Sequence, residues 1–249
     1  MNGVDVRETM SLPAVALVPG RAAGPIHLPP DPGMWPVAPG DAVWVAAMRA
    51  SEWPFVPKSP RGVCAIVFDE VPPGAAEGVS VPSVGRVDLD IFTDGETVEV
   101  DGTEGRLTID GIEEVPVVTV LLEREDGRIL LLERSGSVGS FQGRWAGISG
   151  YLEGPSALAQ AYREILEEVG LSEEDLELKV AGDRVIAREG TRIYVVHPFR
   201  FRARSTDLTL DWENVRAEWV SPEEISNRLT VPKLDRVWER VAPARTPKT

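Results

Sequence analysis

The 249-residue chain has one cysteine, Cys64, and two histidines, His27 and His197. A lone cysteine excludes an intrachain disulfide and fits a reducing compartment, so the cytoplasm is the expected location. Two histidines exclude a His-rich metal centre. No apolar run approaches the ~20 residues of a membrane-spanning helix, and no membrane partner is expected. The opening stretch MNGVDVRETMSLPAVALVPG carries acids and a proline without an apolar core, so no secretory leader is expected. Cations are scarce as well: 26 Lys and Arg stand against 40 Asp and Glu, a net charge of -14. Nucleic-acid backbones are met by clustered Lys and Arg, so a nucleic-acid partner is not expected.

Two kinds of sequence follow one another along the chain. The first, residues 1–112, is rich in proline and glycine. It offers short apolar runs, AVALV, DAVWVAAM, VCAIVFDE, TVEVDG and RLTID, separated by turn signals such as PPDPG, APG and VPPGAAEG. A β-rich domain is expected there. The second, residues 113–249, opens with VPVVTVLLEREDGRILLLER, a predicted β-hairpin around Asp126-Gly127. A Gly-rich loop leads from it into SALAQAYREILEEVGL. That stretch predicts a helix capped by Ser156 and stopped by Gly170, with Leu158, Ala161, Ile165 and Val169 on its core face. Predicted strands at KVAGDRVIARE, TRIYVVHPFRFRAR and AEWV follow, then helices at SPEEI and KLDRVWERV, and a frayed APARTPKT tail. The fold class is α+β.

The helix raises a chemical question. Glu164, Glu167 and Glu168 lie at positions i, i+3 and i+4, where like charges repel by a few tenths of a kcal/mol per pair. A solvated face could hold them, with Arg163 spaced to pair with Glu167. A divalent cation could hold them too, because Mg²⁺ takes hard oxygen ligands.

The motif R-E-I-L-E-E-V-G-L, Arg163 to Leu171, resembles the second part of the Nudix box. The preceding hairpin, the loop GRWAGISGYLEG and the later WENVRAEWVSPEEI follow in the order usual for that family. The resemblance covers about Val115 to Val241. It implies an α/β/α sandwich on a mixed sheet and hydrolysis of a nucleoside diphosphate linked to another moiety, with Mg²⁺ or Mn²⁺ as cofactor. It further implies that Glu167 and Glu168 hold metal, that Glu164 is a ligand or the base, and that Arg163 orients the carboxylates. A last ligand is expected from a later loop, Glu213 first and Glu218 behind it. The first part of the box departs: its Glu falls on Pro155 and its Gly on Ser149, with Glu153 nearby but off the spacing. Trp145 and Phe141 could stack on a base or pack in the core. Arg134 and Arg144 could meet phosphate or lie on plain surface. His197, beside Pro198, is expected to be structural.

The first half, from about Ala14 to Ile109, resembles the swivelling phosphohistidine domain of phosphoenolpyruvate-utilising enzymes, through GDAVWVA, CAIVFD, VPSVG and DGETVEVDG. The segment that carries that family's histidine is EVPPGAAEGVSVPSVG here and has none. An accessory binding, dimerisation or lid module is therefore expected, and phosphotransfer is disfavoured. Two readings of the whole remain. One is a Mg²⁺-dependent pyrophosphohydrolase acting on an ADP-ribose-like compound, a dinucleotide, a nucleoside triphosphate or a non-nucleotide diphosphate. The other is a non-catalytic nucleotide or nucleotide-sugar sensor. A homodimer is compatible with either.

Overall fold

The computed structural model describes residues 9–29, 43–51, 62–74 and 79–243. The predicted turns at 38–40 and 75–78, most of that at 29–33, and the tail from residue 244 lie outside them. The chain forms two compact units, Met1–Glu113 and Glu114–Thr249.

The first unit is a sheet of eight strands: β1 (Thr9–Pro13), β2 (Val15–Val18), β3 (Arg21–His27), β4 (Trp44–Met48), β5 (Val63–Phe68), β6 (Ser83–Gly85), β7 (Thr97–Asp101) and β8 (Arg106–Asp110). Their order is β1-β8-β7-β3-β4-β5-β6-β2. The ladders joining β3, β4, β5 and β6 are parallel and the others antiparallel. Strand β3, RAAGPIH, carries alanine, glycine and proline, which are poor strand formers. Its Pro25 pairs with Thr97 of β7, and the β4 ladder begins only at Ile26. The missing N–H of proline therefore leaves no gap in that ladder.

The second unit holds β9 (Glu113–Glu123), β10 (Ile129–Arg134), β11 (Trp145–Ala146), β12 (Ile148–Tyr151), α1 (Ala157–Val169), β13 (Leu176–Ala181), β14 (Val185–Glu189), β15 (Arg192–Ala203), β16 (Asn214–Val220) and α2 (Leu234–Val241). Strand β10 pairs antiparallel with β9, β11 and β16, β12 with β9, and β13 and β14 with β15; β9 also pairs with β15, and a parallel bridge joins Trp145 to Thr230. Side chains alternate across the sheet, as period two requires. Val118, Val120, Leu122, Leu130, Leu132, Phe199 and Phe201 pack with Ala161, Ile165 and Val169 of α1. Leu121, Ile129, Leu131, Tyr194 and Val196 pack with Leu234, Val237 and Val241 of α2 on the other face. This is a layered α/β/α arrangement.

Local chemistry sets the helix ends. Ser156 accepts a hydrogen bond from the Ala159 N–H at 3.2 Å, and Gly170 closes α1 in the left-handed conformation at φ 74°. One expectation is corrected. The stretch KVAGDRVIARE is two strands, broken at Gly182, where an added Cβ would stand 2.8 Å from the Arg240 carbonyl of α2. The helix expected from SPEEI is present as a 3-10 helix, Pro222–Asn227, with Ser221 at its N-cap.

Candidate active site

Helix α1 lies over β12, and a cavity of about 290 Å³ opens at their junction. Glu153, Glu164, Glu167 and Glu213 line it together with Arg134 and Arg188. Apolar and aromatic groups, among them Phe141, Tyr194, Val196, Val231 and Leu234, line it too. The cavity thus joins an acidic wall to an apolar one.

Glu164 enters the cavity over a glycine. A Cβ added to Gly150 would lie 2.0 Å from the Glu164 carboxyl carbon, so the bare backbone of β12 is what admits the carboxylate. Gln160, one turn earlier on α1, donates from Nε2 to Glu164 Oε1 at 2.6 Å. Gln160 Oε1 in turn accepts the Glu153 N–H at 3.5 Å. Burial raises the Glu164 pKa above the ordinary carboxylate value; the Gln160 bond opposes this, and the charges of Glu167 and Glu213 add to the rise. The Glu213 pKa is also raised, by burial first and then by Asp211 and Glu167, while Arg134 lowers it. Glu164, Glu167 and Glu213 therefore feel one another across the cavity.

Glu168 behaves differently. It is only 3% exposed and does not line the cavity. Its Oε1 accepts the Ser149 N–H at 2.8 Å, and its Oε2 accepts the Asn214 Nδ2 at 2.8 Å. Burial pushes its pKa up to about 8 in spite of both bonds. Arg163 pairs with Glu153 at 2.8 Å rather than with Glu167, and so ties α1 to the loop before it. Pro155 lies in that same loop, where the box has its Glu.

The later-loop candidates separate. Glu213 lines the cavity. Glu218 does not; its carboxylate sits between Arg216 and Arg228, the latter at 2.6 Å. Among the substrate-contact candidates, Phe141 and Arg134 line the cavity, whereas Trp145 and Arg144 do not. Trp145 has the Arg228 guanidinium 4.4 Å and the Arg216 guanidinium 5.6 Å from its ring centre. Cation–π contacts thus engage this ring. Arg144 donates to the Thr230 carbonyl at 3.1 Å and braces the loop. Arg134 Nε donates to the Ser140 carbonyl at 3.1 Å. Sequence reasoning missed Gly150, Gln160, Asn214 and Asp211. Of these, only Gln160 left a signal, its four-residue spacing from Glu164.

Among the described residues no three His, Cys, Asp or Glu side chains gather closely enough to hold a metal ion. Gln160 holds the Glu164 carboxylate, and Ser149 and Asn214 hold that of Glu168. The donors themselves suit a hard divalent cation: all are carboxylate oxygens, and Gly150 leaves room for one of them.

Comparison with known proteins follows the same half of the chain. The NUDIX domain matches residues 113–241, just over half of the 249. A solved MutT protein from Methanosarcina mazei Go1 is 24% identical, at a TM-score of 0.45, with 52% of this chain and 94% of that one covered. An Ap4A hydrolase binary complex from C. elegans is 17% identical, at 0.45, with 51% and 93% covered. A NUDIX hydrolase from Nitrosomonas europaea is 25% identical, at 0.43, with 51% and 88% covered. No curated protein matches the chain. With the domain match spanning more than half of its length, the chain belongs to the Nudix family, as a pyrophosphohydrolase-type enzyme acting on a nucleotide or nucleoside-diphosphate-linked compound.

Proposed function

We propose that the second unit is a divalent-cation-dependent pyrophosphohydrolase whose cation, Mg²⁺ or Mn²⁺, is held by Glu164, Glu167 and Glu213, with Glu168 reaching it from behind. The observation that carries this reading is the mutual electrostatic cost of the three carboxylates that share the cavity wall. A divalent cation offsets that cost. Each Glu168 oxygen accepts one hydrogen bond and keeps a lone pair for a further partner.

A cation bound there would neutralise phosphate charge and acidify water. The protein's own part is placement. Gln160 holds Oε1 of Glu164 and leaves Oε2 to accept the proton of the attacking water. Arg134, anchored through Nε on Ser140, meets a phosphate with its remaining guanidinium nitrogens. Phe141, Tyr194 and Val231 on the apolar wall take the group attached to the diphosphate. Arg163 acts through Glu153 and keeps the loop at Pro155 close to α1.

The first unit is proposed as an accessory domain that carries no phosphoryl group. Between β5 and β6, where the swivelling family it resembles has its phosphorylated residue, this chain has no histidine. The unit's one histidine, His27, stands 3.3 Å from Asp94 and edge-on to Trp44. The cytoplasm and a small-molecule diphosphate are the proposed setting and partner.

The test is turnover of a panel comprising ADP-ribose, a dinucleoside polyphosphate, nucleoside triphosphates and a non-nucleotide diphosphate, with Mg²⁺ and with a chelator. Mg²⁺-dependent release of a monophosphate or pyrophosphate product supports the enzyme reading. Tight binding without turnover of any member would favour the sensor.

A further inference from the structure

The segment Asp211–Asn214 brings Glu213 to the cavity wall, and hydrogen bonds tie it to Glu168 of α1 and to Ser135. The ladder between β10 and β16 slips there: Glu133 faces Arg216, Arg134 faces Asn214, and Val215 is the extra residue. A bulge of this kind re-aims a side chain. Val215 is 63% exposed, whereas Asn214 is 6% exposed. Turned inward, Asn214 Nδ2 donates to Glu168 Oε2 at 2.8 Å and to Asp211 Oδ1 at 3.3 Å. An amide nitrogen has two hydrogens, and both are engaged.

The bonds continue to Glu213. Asp211 Oδ1 also accepts the Glu213 N–H at 3.0 Å, and the Glu213 carbonyl accepts the Ser135 N–H at 2.7 Å. The Asp211 N–H donates to the Glu168 carbonyl at 3.2 Å. The Glu213 backbone is therefore held on both sides while its carboxylate lines the cavity with Glu164 and Glu167. Asn214 itself does not line the cavity.

We propose that Asn214, acting with Asp211, is a positioning residue: it locks the turn that presents Glu213 against the helix that presents Glu164 and Glu167. This rests on the metal-assisted reading above. The fourth carboxylate then needs little reorganisation when cation and substrate arrive, and that placement is lost when the amide or its acceptor is removed. Partners one step behind metal ligands commonly act this way, and their loss costs about 10–100-fold in metal affinity or activity.

The test uses the full chain, with Mn²⁺ binding followed by electron paramagnetic resonance and with kcat and KM measured separately. Asn214→Ala and Asp211→Ala should each weaken Mn²⁺ binding and lower kcat by about 10–100-fold, with KM little changed. Asp211→Asn keeps an Oδ1 acceptor for both donors and should restore both quantities. In a Glu213→Gln background, adding Asn214→Ala should cost less than it does in the wild-type chain, because part of its effect acts through Glu213. Fully additive losses, or an Asp211→Asn variant as poor as Asp211→Ala, would overturn the positioning role alone. Should Asn214→Ala fail to fold, the Asp211→Asn and Asp211→Ala pair decides the matter. A Glu213→Gln variant with wild-type Mn²⁺ affinity would overturn the metal role of Glu213 and this proposal with it.

Discussion

Gly150 lies directly under Glu164, so close that a methyl group there would overlap the carboxylate at 2.0 Å. The atom displaced would be the end of a flexible side chain, not backbone. Gly150→Ala should therefore leave the fold intact, and could stabilise it by up to about 1 kcal/mol through the unfolded chain. Turnover should fall by about 100-fold, the scale of an ångström-sized misplacement at a reacting group. Melting curves and kcat on one preparation check this. A variant that keeps wild-type turnover would mean that Glu164 works from another position.

Pro155 stands where the family's box has a carboxylate, and Glu153, two residues before it, is tied to Arg163 at 2.8 Å. With fewer carboxylates free for the ion, the unliganded protein should bind Mg²⁺ weakly, and substrate phosphates should complete the coordination. Calorimetry should show Mg²⁺ binding much more tightly with a non-hydrolysable diphosphate analogue present. Equal, tight affinity in both states would point to Glu153 as the replacement ligand.

Glu168 gives the metal-free protein a pH dependence. Its pKa rises from the ordinary 4.5 to about 8 on folding, because burial disfavours its charge. Between those values the folded state holds more protons than the unfolded state, so stability falls as pH rises through that window. The melting temperature with chelator present should be lower at pH 8 than at pH 5.5. The difference should shrink in Glu168→Gln, which has no proton to lose. A slope unchanged by the substitution would assign the dependence to other groups.

The parts of the fold legible in the sequence were those that local chemistry decides. Ser156 and Gly170 bound α1 because a cap and a left-handed stop act within one turn. The apolar row through Ala161, Ile165 and Val169 marks the buried face. The fate of Glu168 was not legible. It shares a row with Gln160 and Glu164, at the border between core and cavity, and what buries it comes from β12 and from Asn214, far along the chain. Trp145 follows the same logic: Arg216 and Arg228, distant in sequence, occupy its ring. Strand β3 was missed because pairing with β7 and β4 overrides the weak propensities of Ala22, Ala23, Gly24 and Pro25.

The two compact units divide at Glu113 and Glu114. The second encloses both hydrophobic clusters of its sheet, so a fragment starting at Ile112 should fold alone and retain cation-dependent turnover. Cooperative melting and dispersed amide resonances check this. A molten or insoluble product would show that the units share stability.

The central claim is that carboxylates of α1 hold the cation that drives hydrolysis, and Glu167→Gln tests it most directly. The variant keeps the shape of the side chain and removes its charge from the cavity wall. Steady-state turnover of the best diphosphate substrate at saturating Mg²⁺ should fall by about 100-fold or more, as when an electrostatic catalytic contact is lost, with the melting temperature unchanged or raised. Wild-type turnover in Glu167→Gln would contradict the account and place the reaction elsewhere.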